Sequence, residues 1–263
     1  MTFFRRAYKV FLLLILNIFF LLPGLLISAA FFLGEPRQTQ LRTYGMMIWA
    51  KCLAAVLGLH VQTTGQRPQQ RGLFIASNHS SYTDILVIGS SIPSVFVAKA
   101  EVSSWPLFGC LAQIGGTIFV KRESARSTLQ AVSEVQQKLK AGVNVIVFPE
   151  GTTDNGNEVS KFGSSFFKIP AEDHLPVLPL SIYYASVDGL PTAHAPANEM
   201  AWHNTPLLPH FWNLLSKKKI EARVHFNEVI DVSSGSYTRK ELADMAYQRA
   251  TDGLRILQGN STG

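Results

Sequence analysis

Charged side chains are scarce in this chain. Asp, Glu, Lys and Arg make up 16% of its 263 residues, and hydrophobic residues 47%. An ordinary soluble domain carries about one charged residue in four, so the deficit points toward membrane association. Cysteine is also rare, with Cys52 and Cys110 far apart in apolar runs. That spacing excludes a disulfide framework and predicts buried free thiols in a reducing compartment. Nothing basic adjoins Cys110 to activate it as a nucleophile. His60, His174, His194, His203, His210 and His225 lack metal-ligand spacing, so no metal site is expected. There is no zinc-finger spacing, no aromatic-basic RNA signature, no internal repeat and no low-complexity tract. The net charge of +6 and the pI near 9.4 therefore suit an anionic lipid surface rather than nucleic acid.

What is present begins at the N-terminus. Arg5, Arg6 and Lys9 precede Val10–Leu33, a run without charge whose only polar residues are Asn17 and Ser28. It is long enough to span a bilayer and longer than the apolar core of a usual signal peptide. Pro23-Gly24 in its middle leaves two arrangements, a single span, or a bend there and a return to the same face, which is the working hypothesis. The basic start makes that face cytoplasmic. A second apolar stretch, Tyr44–Val61, places Leu41, Tyr44, Ile48, Cys52, Val56 and Leu59 on one helical face. It suits either an interfacial helix, with Lys51 reaching the headgroups, or a core helix. Gln62–Gly72 is polar, carries Gly65, Pro68 and Gly72, and reads as a link.

Beyond it, strands and helices alternate. Leu73–Ser77, Val95–Ala98, Thr117–Val120, Val143–Phe148 and Val177–Tyr184 read as strands, and Ile220–Phe226 as a sheet edge. Asp84–Ser90, Trp105–Ile114, Ser124–Gly142 and Tyr237–Leu257 read as helices. Val145–Phe148 has the unbroken apolar character of a strand covered on both faces. The pattern predicts an α/β fold with a largely parallel central sheet flanked by helices, behind an N-terminal hydrophobic helical membrane anchor.

Ligand groups in such sheets gather on loops at the carboxyl ends of strands, and three of those loops are chemically loaded. In Asn78-His79-Ser80-Ser81-Tyr82-Thr83-Asp84, a loop separates His79 from a carboxylate at the start of a helix. That loop lets Asp84 turn back, fix the tautomer of His79 and stabilise its imidazolium, as a general base for a hydroxyl requires. Asp84 also fits a plain capping box with Ser81. Val120-Lys121-Arg122 supplies cations for an anionic group, or a solvated turn. Phe148-Pro149-Glu150-Gly151-Thr152-Thr153 offers close backbone approach and donors, or an ordinary turn. Trp105 to Phe108, and Phe211-Trp212 ahead of Lys217-Lys218-Lys219, mix aromatic and basic residues as interfacial surfaces do.

Four ordered blocks resemble the glycerolipid acyltransferase family typified by 1-acylglycerol-3-phosphate acyltransferase. Asn78-His79 through Asp84 is similar to its N-H-x-x-x-x-D block. Gly116 through Arg122 matches G-x-x-F-x-x-R, and Phe148 through Thr152 matches F-P-E-G-T. Leu175 through Leu180 resembles its later V-P-V-x-P-V-like block. The resemblance covers about residues 72 to 185 and divides the chain into a membrane-anchoring segment, 1–62, and an acyltransferase domain, 63–263. It implies transfer of a fatty acyl group from acyl-ACP or acyl-CoA to a lysolipid hydroxyl at the cytoplasmic face of a bacterial-type inner membrane. Those thioesters would serve as co-substrates, with no resident cofactor. His79 and Asp84 would be catalytic, and Phe119, Lys121, Arg122, Glu150, Gly151 and Thr152 would bind the acceptor. No G-x-S-x-G elbow supplies a serine nucleophile, so direct attack by the bound hydroxyl fits better than an acyl-enzyme. The acceptor expected is 1-acyl-sn-glycerol-3-phosphate, giving phosphatidic acid. Thr153 stands where glycerophosphate members commonly have Arg, and Pro170 replaces the Gly of a later F-K-x-G pattern. Lyso-ornithine lipid, whose head group lacks phosphate, is therefore the alternative acceptor. A lipid-binding membrane protein without catalysis is the alternative of another class.

Overall fold

The computed structural model describes residues 2–30, 34–105, 108–121, 123–192, 199–203, 205–233 and 235–259. Leu33 at the end of the apolar run, Pro106 and Leu107 within Trp105 to Phe108, Arg122 and His194 lie outside them. Two helices, α1 (Thr2–Ala29) and α2 (Glu35–Leu57), pack side by side ahead of the sheet. Then follow β1 (Leu59–Gly65), β2 (Phe74–Ser77), α3 (Asp84–Ser91), β3 (Val95–Lys99), α4 (Phe108–Ile114) and β4 (Ile118–Val120). The chain continues through α5 (Ala125–Lys140), β5 (Val145–Val147), α6 (Lys168–Asp173), β6 (Val177–Val187) and β7 (Leu190–Pro191). It closes with α7 (Leu207–Leu214), β8 (Ile220–Phe226) and α8 (Arg239–Gln258).

The strands lie in the order β1-β8-β6-β2-β5-β3-β4, with β7 beside β6. From β6 to β4 neighbouring strands are parallel, while β8 runs antiparallel to β6 and β1 runs parallel to β8. This is the expected α/β fold with a mostly parallel sheet. Period-two alternation divides its core. In β2, Ile75 joins the layer under α2 and α3, while Phe74 and Ala76 join the layer under α5 and α8. All three residues of β5, Val145-Ile146-Val147, are buried, as a β-branched strand covered on both faces should be. Ser124 caps α5, and a Thr238–Glu241 capping box starts α8.

Three expectations need correction. First, α1 runs unbroken through Pro23 and Gly24, and the reversal falls between Ala29 and Glu35. Gly24 serves packing instead of bending, since a Cβ there would lie 2.5 Å from Cγ2 of Ile114. Second, β1 occupies Gln62–Gly65, so that part of the supposed link is an edge strand and β8 is interior. Third, Cys110 is exposed and Cys52 half-buried. On α2, Leu41, Tyr44 and Ile48 face outward, which suits the interfacial reading, while Trp49, Leu53 and Leu57 pack inward.

By length and composition α1 can cross a membrane, and it is a candidate anchor. Its buried stripe is Lys9, Leu13 and Asn17, one helical turn apart. The Lys9 amine donates to the carbonyls of Leu57 (2.6 Å) and Lys217 (2.8 Å), and Asn17 accepts from the Trp49 indole. Phe4, Phe11, Ile18, Phe19 and Leu22 face outward, leaving an apolar face for lipid.

Candidate active site

The site is built where β2 ends. Asn78, buried immediately after that strand, uses its side chain as an extra strand residue. Its amide donates to the Ile182 carbonyl (3.0 Å) and its oxygen accepts from the Ile182 N–H (2.8 Å) on β6. The departing loop therefore leaves the sheet in a fixed direction. It carries His79, then turns into α3 with Asp84 at the first helical position.

His79 Nδ1 lies 2.8 Å from Asp84 Oδ2. A carboxylate only accepts, so Nδ1 carries the proton and Nε2 is left as the basic nitrogen. Asp84 is fully buried while the His79 side chain is 19% exposed, so the dyad presents its base outward and hides its acid. Burying a carboxylate is costly unless it is satisfied. Asp84 Oδ2 also accepts from the N–H groups of Ser80 (2.8 Å) and Ser81 (3.0 Å), and Oδ1 from the Tyr184 hydroxyl (2.6 Å). Tyr184 is itself buried on β6 and shares a 2.6 Å bond with Thr83 Oγ1. Phe148 stacks on the imidazole, with centroids 3.9 Å apart and planes 16° from parallel. Bonded at one edge and stacked on a face, the ring has one orientation.

Glu150 joins the Phe148–Thr153 loop to this dyad. Its two oxygens accept from the backbone N–H of His79 and of Ser160, each at 2.9 Å. Burial pushes its pKa up to about 8, against the pull of those two donors, and the nearby Asp154 and Asp84 add to the rise. Gly151, at φ +80°, makes the turn that follows, and its N–H closes onto the Phe148 carbonyl at 3.1 Å. Asp154 N–H donates to the His79 carbonyl at 3.0 Å. The Thr153 hydroxyl donates to the Trp202 carbonyl, and Trp202 N–H in turn donates to the Ser80 carbonyl at 2.8 Å. Residues from β2, β5 and the distal segment thus converge on one imidazole.

Comparison with known proteins agrees with this geometry. A family model described as Acyltransferase matches residues 58–183. Over 209 residues the chain is 35% identical to the lyso-ornithine lipid O-acyltransferase of Rhizobium meliloti, covering 76% of this chain and 71% of that protein. The chain belongs to the acyltransferase family. The enzyme of the same name from Pseudomonas aeruginosa is 36% identical over 200 residues, with 76% and 74% coverage. The 1-acyl-sn-glycerol-3-phosphate acyltransferase of Neisseria meningitidis serogroup B is 31% identical over 180 residues, with 68% and 69% coverage. The fold is that of the 1-acyl-sn-glycerophosphate acyltransferase PlsC from Thermotoga maritima, at TM-score 0.70, 20% identity and full coverage of both chains. The chain is thus a member of the glycerolipid acyltransferases, enzymes that act on lysolipids.

Within this acyltransferase, the residues singled out from the sequence fall into two groups. His79, Asp84 and Glu150 are in direct contact, and Gly151 and the exposed Thr152 continue the same loop. Phe119 and Lys121 sit at the carboxyl end of β4, the sheet edge. That strand is three spacings from β2, roughly 14 Å at the usual strand separation. Phe119 is half-buried, Lys121 is exposed, and Arg122 lies outside the described residues. Sequence reasoning missed Tyr184 and Ser160, and placed Asn78 in the N-H-x-x-x-x-D block without a role. Each acts through a contact distant in the chain or through a backbone group, which no local pattern announces.

Proposed function

We propose that this acyltransferase moves a fatty acyl group from an acyl thioester, carried by acyl carrier protein or coenzyme A, to the hydroxyl of lyso-ornithine lipid. The reaction takes place at the cytoplasmic face of a bacterial inner membrane, where such thioesters are available. One observation carries the chemistry: a tautomer-fixed, partly exposed His79 whose partner Asp84 is buried and held by four donors. His79 Nε2 takes the acceptor's hydroxyl proton as its oxygen attacks the thioester carbonyl, and the new C–O bond forms. Asp84 stabilises the resulting imidazolium. Collapse of the tetrahedral intermediate breaks the C–S bond, and the imidazolium proton goes to the departing thiolate. General-base catalysis of this kind contributes about 10²–10⁴-fold. Glu150 holds the backbone of His79; Gly151, Thr152, Phe119 and Lys121 bind the acceptor, and Arg122 is assigned to it from the family block alone.

The choice of acceptor rests on position 153. Glycerophosphate members commonly place a cation there, whereas Thr153 here is a tether for Trp202. Relatives named for lyso-ornithine lipid support the same reading. The exposed Lys121 beside Arg122 favours a second reading, 1-acyl-sn-glycerol-3-phosphate, because it leaves cations for a phosphate. Kinetics of the purified, reconstituted enzyme with both acceptors decide between them. We expect kcat/KM for lyso-ornithine lipid to exceed that for the glycerophosphate by about tenfold or more. The reverse ratio would move the assignment to phosphatidic acid synthesis. Turnover with neither acceptor would favour a lipid-binding protein without catalysis.

A further inference from the structure

Helix α7 lies outside the four sequence blocks, yet it is built like a surface that meets lipid. Leu208 and Trp212, one turn apart, are 77% and 45% exposed, while Leu214 on the opposite side is buried. The end of α7 and the turn after it sit against the first turns of α1. The Arg6 guanidinium lies 5.1 Å from the centroid of the Trp212 ring, Arg5 donates to the Ser216 carbonyl, and Lys9 donates to the Lys217 carbonyl. Phe3, Phe4 and Tyr8 on the same first turns of α1 are exposed as well, as are Trp212 and Leu208 on α7. The surrounding charge is mainly positive. Arg5, Arg6, Lys9, Lys217, Lys218 and Lys219 face three carboxylates: Glu199 paired with Lys217, Glu221 paired with Lys219, and Asp188 bound to the backbone of Lys218 and Lys219.

We infer that α7 is a second membrane contact, with Leu208 and Trp212 seated at the headgroup level of an anionic leaflet beside α1. Aromatic and aliphatic side chains ringed by cations occupy that depth. The contact also sets the height of the active site. His210 on α7 bonds the Tyr82 hydroxyl through Nδ1 at 3.0 Å, and Tyr82 packs edge-on against His210 and Phe211. Tyr82 is three residues from His79, so α7 ties the loop bearing the base to the lipid surface from which a lysolipid arrives.

The test reads position and does not depend on which lysolipid is acylated. Full-length enzyme and its Trp212→Phe variant are reconstituted into vesicles of phosphatidylcholine and phosphatidylglycerol. Phospholipid spin-labelled near the headgroup, or deep in the acyl chain, is then added. The difference between the two emission spectra is the signal of Trp212. We expect the shallow label to quench about half of it or more and the deep label to quench less. A difference signal unquenched by either label, or quenched more by the deep label, overturns the proposal. So does a signal that responds to added acyl carrier protein and to neither lipid, which would assign the surface to the protein donor. Leu208→Glu supplies a second arm. It should lower kcat/KM about tenfold for an acceptor presented in vesicles and leave that for a short-chain, water-soluble acceptor within about twofold. An equal loss with both acceptors contradicts a role in seating on lipid.

Discussion

Replacing Tyr184 by Phe removes one oxygen from the core and nothing else, which makes it a sensitive probe of how the dyad is held. The phenol is fully buried and donates to Asp84 Oδ1 at 2.6 Å, the oxygen that faces away from His79. The other three donors, His79 Nδ1 and the Ser80 and Ser81 amides, all converge on Oδ2. Tyr184→Phe therefore leaves Oδ1 without its phenol donor in a site that water does not reach. A hydrogen bond to a charged group is worth about 1.5–3 kcal/mol. In a protein of this size about 2 kcal/mol corresponds to a fall in Tm of roughly 4–8 °C. A carboxylate freed to rotate also holds the imidazole less firmly. We expect kcat to fall about tenfold, equivalent to roughly 1.4 kcal/mol of barrier, with KM for acceptor unchanged. Release of the thiol product, followed with a chromogenic thiol reagent, measures the rate. Thr83→Val is the control, because it removes the tyrosine's other partner and leaves Asp84 its donors. A Tyr184→Phe enzyme with kcat within about twofold of wild type and an unchanged Tm would refute the reasoning.

Two further outcomes follow from the same contacts. Glu150 has its pKa raised to about 8 in the folded protein, chiefly by burial, so between its ordinary value and 8 the native state holds a proton that the unfolded chain has released. Its contribution to stability is complete below the ordinary glutamate range and is lost as pH rises through about 8, at a slope of at most about 1.4 kcal/mol per pH unit. Denaturant unfolding of wild type and Glu150→Gln across that window isolates the effect, and a pH-independent difference between them would contradict it. Asn78→Ala strips both side-chain bonds from Ile182 and leaves a buried N–H and C=O short of partners. That should cost about 3 kcal/mol in the same unfolding assay, and a loss under about 1 kcal/mol would show that β2 and β6 hold the loop without it.

The parts of the fold legible in the sequence are those whose signals are local. β5 and β2 were readable because β-branched and apolar runs covered on both faces have no polar interruptions. The loops at their carboxyl ends stand out because they gather His79, Asp84 and Glu150 directly after those apolar runs. β1 was not readable: Gln62-Thr63-Thr64 is an exposed edge whose polar residues resemble a linker. The straightness of α1 through Pro23 was hidden as well. The bend inferred from proline assumes a helix free to kink, whereas this one is docked along Lys9, Leu13 and Asn17 and packed closely on Ile114. α2 is apolar on more than one side, so an interfacial and a core role both stayed open in the sequence. Leu41, Tyr44 and Ile48 point away from the domain as Trp49, Leu53 and Leu57 point into it. At the site, the five-residue spacing of His79 and Asp84 is visible in the chain, and their 2.8 Å contact follows from the turn between them. Tyr184 lies 100 residues from Asp84, so only the folded sheet brings its hydroxyl to the carboxylate.

The central claim is that His79 Nε2 takes the proton from the acceptor hydroxyl. Its most direct measurement is single-turnover acyl transfer by reconstituted His79→Ala and His79→Gln enzymes, given saturating thioester and lysolipid, with folding and lysolipid binding checked in the same preparations. The account predicts both variants folded and binding lysolipid as wild type does, with transfer slowed by about 10³-fold or more. Transfer within a few-fold of wild type by either variant would contradict it.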